Sequence, residues 1–138
     1  VYTTSLCDHA SDFDVHNHTV LSLSFDSEKL KAREAAIRAC GFQVTSVYSP
    51  AQARYEIEMG TCGIFVTCHA VPDIINQDLM NLFRRYCPEG LTVFITRNEP
   101  SLKSAYEPHA DIAIPESQDP QGIAEILNGL RQKPSVAS

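Results

Sequence analysis

The sequence predicts an α/β fold, a five-stranded parallel sheet between two layers of helices with strand order 2-1-3-4-5. Three observations predict it. Short apolar runs recur along the chain without polar alternation, as strands covered on both faces do. Stretches rich in helix-forming residues separate them. Turn and cap residues stand at the junctions: Asp26-Ser27, Ser49-Pro50 and Asp119-Pro120 where helices start, and Gly41 and Gly60 where they end.

Taken in order, residues 1–18 are polar and acidic and show neither helical nor strand periodicity; they are expected to form a flexible N-terminal extension. Val20-Leu21-Ser22-Leu23 is a buried-strand candidate. Asp26 or Ser27 caps a helix from Glu28 to Cys40, with Leu30, Ala36, Ile37 and Cys40 on its inner face. Phe42 to Tyr48 reads as a second strand.

From Ala51 to Met59 apolar and polar residues alternate, which is strand periodicity. Ser49-Pro50 before the stretch and Gly60 after it favour a helix. Gly63 to Cys68 is the clearest strand. Asp73 to Tyr86 reads as a helix with Ile74, Leu79, Leu82, Phe83 and Tyr86 inward, broken by Cys87-Pro88-Glu89-Gly90. Leu91 to Thr96 is a fourth strand, Pro100 to Tyr106 a short helix, and Asp111 to Ile114 a fifth strand. Asp119-Pro120 then opens a helix with Ile123, Ile126, Leu127 and Leu130 inward, and 133–138 is expected to be a C-terminal tail. One domain is expected over 19–132. With right-handed crossovers this is a flavodoxin-like (βα)5 three-layer sandwich.

The 138 residues suffice for one core, and 43% hydrophobic content marks a globular chain. A formal charge of −6 argues against broad contact with nucleic acid or an anionic membrane. No apolar run is long enough to span a bilayer. Five cysteines, an odd number without a signal-peptide pattern, point to reduced thiols and a cytoplasmic setting.

In doubly wound sheets the reactive site lies at the carboxyl ends of the strands. Here those ends carry Ser24-Phe25-Asp26, Cys68-His69, Thr96-Arg97 and Pro115-Glu116. Several segments then resemble, in order, the receiver domain of bacterial response regulators, CheY-like in fold. Leu21 to Asp26 stands where that family has a strand ending in an acidic pair. Ala39-Cys40-Gly41-Phe42-Gln43-Val44 resembles the link AGYEV, and Ser49 to Ala53 resembles SGEEA. Ile64 to Pro72 is similar to LVLLDxxMP, Leu91 to Thr96 to PVIxLT, and His109-Ala110-Asp111 to GAD. The resemblance spans about Thr19 to Gln132.

The resemblance implies a phosphorylation site: an acidic pair holding magnesium, an Asp nucleophile after strand three, a Thr or Ser after strand four and a Lys after strand five. This chain departs from it. Ser24 and Phe25 occupy the acidic-pair positions, with Asp26 just beyond. Cys68 stands at the phosphoacceptor, Glu116 at the Lys, and Ala113 near the aromatic switch position; only Thr96 matches. Phe25 cannot bind a metal, and Glu116 would repel a phosphoryl group. The expectation is a degenerate pseudo-receiver: no enzyme, no metal, no cofactor. It would signal in a two-component setting through protein–protein contact or as a homodimer, using the segment Thr96 to Gln132.

Other constellations are weaker. Cys68-His69 reads either as a reactive thiol of a redox-responsive regulator or as an inert buried cysteine; neighbours on a strand point to opposite faces. Cys62 and Cys68 sit at opposite ends of one strand and are not expected to bridge. Cys7-Asp8-His9 and His16-Asn17-His18 match no standard zinc spacing. Arg84 and Arg85 complement a helix C-terminus. A small-molecule binder at the strand ends is a third reading, lowered by the lack of a glycine-rich phosphate loop.

Overall fold

Each apolar run becomes a strand because both faces of the sheet are covered. The structure, a computed structural model, describes residues 19–97 and 110–137. The elements are β1 (Thr19–Leu23), α1 (Ser27–Ala39), β2 (Gln43–Val47), α2 (Pro50–Met59), β3 (Ile64–Cys68), α3 (Asp73–Tyr86), β4 (Leu91–Thr96), β5 (Ile112–Pro115), a 3₁₀ turn (Glu116–Gln118) and α4 (Gln121–Ala137). All strand pairs are parallel, in the order β2-β1-β3-β4-β5, as expected. Every residue of the central strand β3 is buried. α1 packs beside α4, and α2 beside α3.

Local chemistry sets the ends. The Asp26 carboxylate accepts from the Glu28 and Lys29 backbone N–H groups at 3.0 and 3.3 Å, capping α1. Ser49 caps α2 through the Gln52 N–H at 3.2 Å, with Pro50 in the first turn. Gly41, just past α1, and Gly60, ending α2, have φ of 90° and 70°, where a side chain would be strained.

As its flanking Ser49-Pro50 and Gly60 predict, the alternating stretch 51–59 is a helix; it buries Ala53 and Ile57 and exposes Tyr55 and Met59. Other expectations are corrected. On α3, Ile74 and Tyr86 are exposed; Asn76, Leu79, Met80, Leu82 and Phe83 face inward. On α1 the inner face includes Arg33, which falls on the apolar stripe between Leu30 and Ile37. Asp119 and Pro120 precede α4 rather than opening it, and α4 runs on through Ala137, past Lys133 where a tail was expected. The short helix at Pro100 to Tyr106 and the extension 1–18 lie outside the described residues. Among the described residues no helix is long and apolar enough to cross a membrane.

Candidate functional site

The carboxyl edge of the sheet is built around the end of β3. Cys68 is 2% exposed there. The loop beyond it is held by Asn76, a buried side chain in the first turn of α3. Its amide donates to the carbonyls of Cys68 and Val71 at 3.0 and 3.1 Å, and its oxygen accepts from the Thr67 hydroxyl at 2.6 Å. The His69 N–H continues the β3–β4 ladder to the Ile95 carbonyl at 3.0 Å. One strand over, Ser24 is fully buried and Phe25 is 46% exposed. The Ser24 Oγ accepts from the Asp26 N–H at 3.0 Å and lies 4.0 Å from the Cys68 Sγ.

Two rungs of ion pairs close the edge on the β5 side. Lys29 and Arg33 stand one turn apart on α1, so they share a face. They meet Glu116 and Asp119, which bracket the 3₁₀ turn after β5. Lys29 Nζ donates to Glu116 Oε2, and the second Glu116 oxygen lies 3.1 Å from His69 Nε2. Arg33 grips Asp119 with two prongs, Nε at 3.0–3.1 Å and Nη2 at 2.8 Å. The Arg33 and Asp119 side chains are 1% and 6% exposed.

The electrostatics follow from these contacts. Hydrogen bonds from Lys29 and then His69 hold the Glu116 carboxyl below its ordinary range. The same bond to Glu116 raises Lys29, against a smaller opposing effect of burial. Burial pulls on Arg33 most strongly and would lower it. Its bond to Asp119, with the charge and hydrogen bonding of Cys68, outweighs that and raises it.

Of the residues singled out in the sequence, the structure brings Ser24 to Cys68 and Glu116 to His69. It assigns Asp26 to capping and leaves Phe25 in solvent. The Thr96 hydroxyl bonds backbone, 2.9 Å from the Arg97 carbonyl and 3.5 Å from that of Ile114. Ala113 is exposed on β5. Arg33, Asp119, Lys29 and Asn76 were missed as site residues. For Arg33 a signal existed: a cation three residues after Leu30 and four before Ile37 must be paired.

A hard divalent cation needs several oxygen donors, chiefly carboxylates. The groups here are a thiol, a hydroxyl and the one Asp26 carboxylate, already accepting two N–H bonds. This set does not fit magnesium. Among the described residues no cluster of three or more His, Cys, Asp or Glu is placed to hold a metal. The Cys7-Asp8-His9 and His16-Asn17-His18 groups lie outside them. Cys40, Cys62, Cys68 and Cys87 are all buried, and Cys62 and Cys68 are unbridged as expected.

Against known proteins, no family model matches the chain, and no curated protein does. Solved structures do. A CheY-like response regulator receiver domain protein from Methanospirillum hungatei is similar at 16% identity and TM-score 0.71, covering 88% of this chain and 99% of that one. A putative response regulator from Chloroflexus aurantiacus is 19% identical, with TM-score 0.69 and coverages of 83% and 97%. The response regulator TrrA of Thermotoga maritima, solved in complex with the histidine kinase ThkA, is 12% identical, with TM-score 0.67 and coverages of 81% and 97%. At these identities the likeness establishes the architecture: the chain has the CheY-like, flavodoxin-like fold of response regulator receiver domains.

Proposed function

We propose that this chain is a degenerate receiver-type signalling domain that is not phosphorylated on an aspartate and works by protein–protein contact. One observation carries the reading. Glu116, at the position where receivers keep a phosphate-binding Lys, is tied to Lys29 and His69. A carboxylate there repels a phosphoryl group, and the nearest cations are already neutralised by Glu116 and Asp119. Ser24, Phe25 and Cys68 supply neither metal ligands nor an acyl-phosphate nucleophile. A domain that keeps the scaffold and loses the chemistry is most simply a binding module.

The contact surface in this reading is the segment 96–132, the β4–β5–α4 side, of which 98–109 lie outside the described residues. TrrA, in complex with a histidine kinase, is a fold neighbour that engages a protein partner. The domain would span 19–132, act in the cytoplasm and need no metal or cofactor.

The test is incubation of the full chain with magnesium and acetyl phosphate or beryllofluoride. The expected result is no acid-stable or acid-labile phosphoryl adduct by intact mass and no magnesium-dependent spectral change. A saturable, magnesium-dependent change mapped to Cys68, Thr96 and Glu116 overturns the reading. Sedimentation velocity over a concentration series tests the contact surface: a dimer should form and should dissociate when Glu125→Arg is introduced on the exposed side of α4.

A further inference from the structure

We propose that the outer face of α2 is a self-association surface that packs, antiparallel about a two-fold axis, on the same helix of a second copy of this chain. The surface lies outside the 96–132 segment proposed above and does not depend on that reading.

The alternation of apolar and polar residues over 51–59 imitates a strand, but in a helix it puts apolar side chains on two opposite faces. Ala53 and Ile57 are buried in the core. Ala51, Tyr55 and Met59 stand at i, i+4 and i+8, so they share a second face. At about 100° per residue, Tyr55 lies roughly 160–200° round the helix from both Ala53 and Ile57. Tyr55 is 60% and Met59 57% exposed, and Ala51 is exposed as well. Single exposed apolar residues are ordinary on a surface; an aligned stripe of them marks a contact.

The stripe is complementary to itself. A two-fold contact sets residue i against j and j against i. With the helices antiparallel and centred on Tyr55, the two Tyr55 rings meet, and Met59 of each copy sits over Ala51 of the other, large against small. The charges beside the stripe fit the same arrangement. Arg54 and Glu58 occupy one flank, 3.7 Å apart, with side chains 50% and 45% exposed. Within one helix this pair is weak, because Arg precedes Glu, against the helix dipole, and both groups face solvent. Across the axis, Arg54 of each copy meets Glu58 of the other, which makes two cross-pairs. On the opposite flank the polar groups serve their own chain. The Gln52 side-chain oxygen accepts from the Tyr48 N–H at 3.0 Å, and the Glu56 carboxylate accepts from the Thr61 hydroxyl at 2.9 Å. A partner that answers Arg54 and Glu58 must present the same charges in reverse order, and this helix does so when turned antiparallel.

Covering Tyr55, Met59 and Ala51 with the stems of Arg54 and Glu58 buries on the order of 300–400 Å² per copy, against the ~800 Å² per partner of a standard interface. The dimer is therefore weak and reversible, and forms where the chain is locally concentrated.

Sedimentation velocity of the full chain from ~10 µM to ~1 mM tests this. In the Glu125→Arg variant, which removes the 96–132 contact, a monomer–dimer equilibrium should remain. Adding Tyr55→Glu should weaken it about tenfold or more. An unchanged urea midpoint shows that this exposed site leaves the fold intact. Arg54→Glu and Glu58→Arg, each introduced alone, set like charges against each other across the axis and should also weaken association. Mixed in equal amounts, those two variants should associate again, because each supplies the charges the other lacks. Association indifferent to Tyr55→Glu, or no recovery in the mixture, overturns the proposal. So does a Glu125→Arg chain that stays monomeric throughout, the result expected if another segment of the chain or a different protein covers the stripe. Association untouched by Glu125→Arg and lost with Tyr55→Glu supports this surface and overturns the 96–132 contact, so the two readings fail separately.

Discussion

Arg33 and Asp119 lie 86 residues apart and meet in a two-pronged ion pair. The pair joins the middle of α1 to the connection between β5 and α4. It places a full positive charge and its counter-charge at the carboxyl edge of the sheet. One turn earlier on α1, Lys29 repeats the motif with Glu116.

Breaking the buried pair should be costly. Arg33→Met leaves the Asp119 carboxylate buried and uncompensated, for a loss of about 3–5 kcal/mol. Arg33→Met combined with Asp119→Leu should recover most of it, because two apolar groups need no partner. Urea denaturation of the single and double variants checks this; a double variant as unstable as the single one contradicts it.

The Glu116 contacts should show in acid. Its carboxyl titrates below the ordinary value of 4.5 in the folded state. The unfolded chain therefore binds a proton first as pH falls. The stabilisation is complete above about pH 4.5 and is lost as pH drops through the lower folded value. Glu116→Gln should flatten that part of the stability profile and leave neutral-pH unfolding cooperative.

Lys29 should act at the opposite end. It titrates above its ordinary value of 10.5 when folded. Its contribution is present below that value and fades as pH rises through the higher folded one. Lys29→Met should remove this alkaline dependence, as measured by thermal melts from neutral to strongly basic pH. Both groups are partly exposed, so added salt should shrink both effects.

Asn76 should be hard to replace. Asn76→Ala removes three hydrogen bonds and leaves the Thr67 hydroxyl buried, for a loss of about 2–4 kcal/mol. Asn76→Asp keeps the acceptor and loses both donors, and should fall in between. Hydrogen exchange should rise in the β3–α3 loop of both variants.

Gly90 should tolerate no side chain. A Cβ there would lie 2.6 Å from the Phe83 ring and 2.8 Å from the Gly63 carbonyl oxygen. Gly90→Ala should cost about 1–3 kcal/mol. Adding Phe83→Leu should relieve the ring clash without removing the clash with the carbonyl. Chemical denaturation of both variants separates the two contributions.

The sheet was legible from local pattern. Val20 to Leu23, Ile64 to Cys68 and Leu91 to Thr96 are mainly apolar without the regular polar alternation of a half-exposed strand, as strands covered on both faces are. Ser49-Pro50 and Gly60 resolved the ambiguous stretch 51–59 as a helix because cap chemistry is local and outweighed its alternation. The inner face of α3 was less legible. Its sequence spacing predicts an apolar stripe that includes Ile74 and Tyr86, but the turn of the helix brings polar Asn76 inward to hold the loop instead.

The chain's own order of residues determined the strands and the caps, because each depends on residue type and near neighbours. The fate of the charges was settled by packing. Asp119 looked like a helix cap and became the partner of Arg33, and Glu116 looked like a bare repulsive carboxylate and became the acceptor for Lys29 and His69. A buried charge takes whichever opposite charge the fold brings within reach. For α1 and the β5–α4 connection, nearly the whole sheet must assemble before those groups meet.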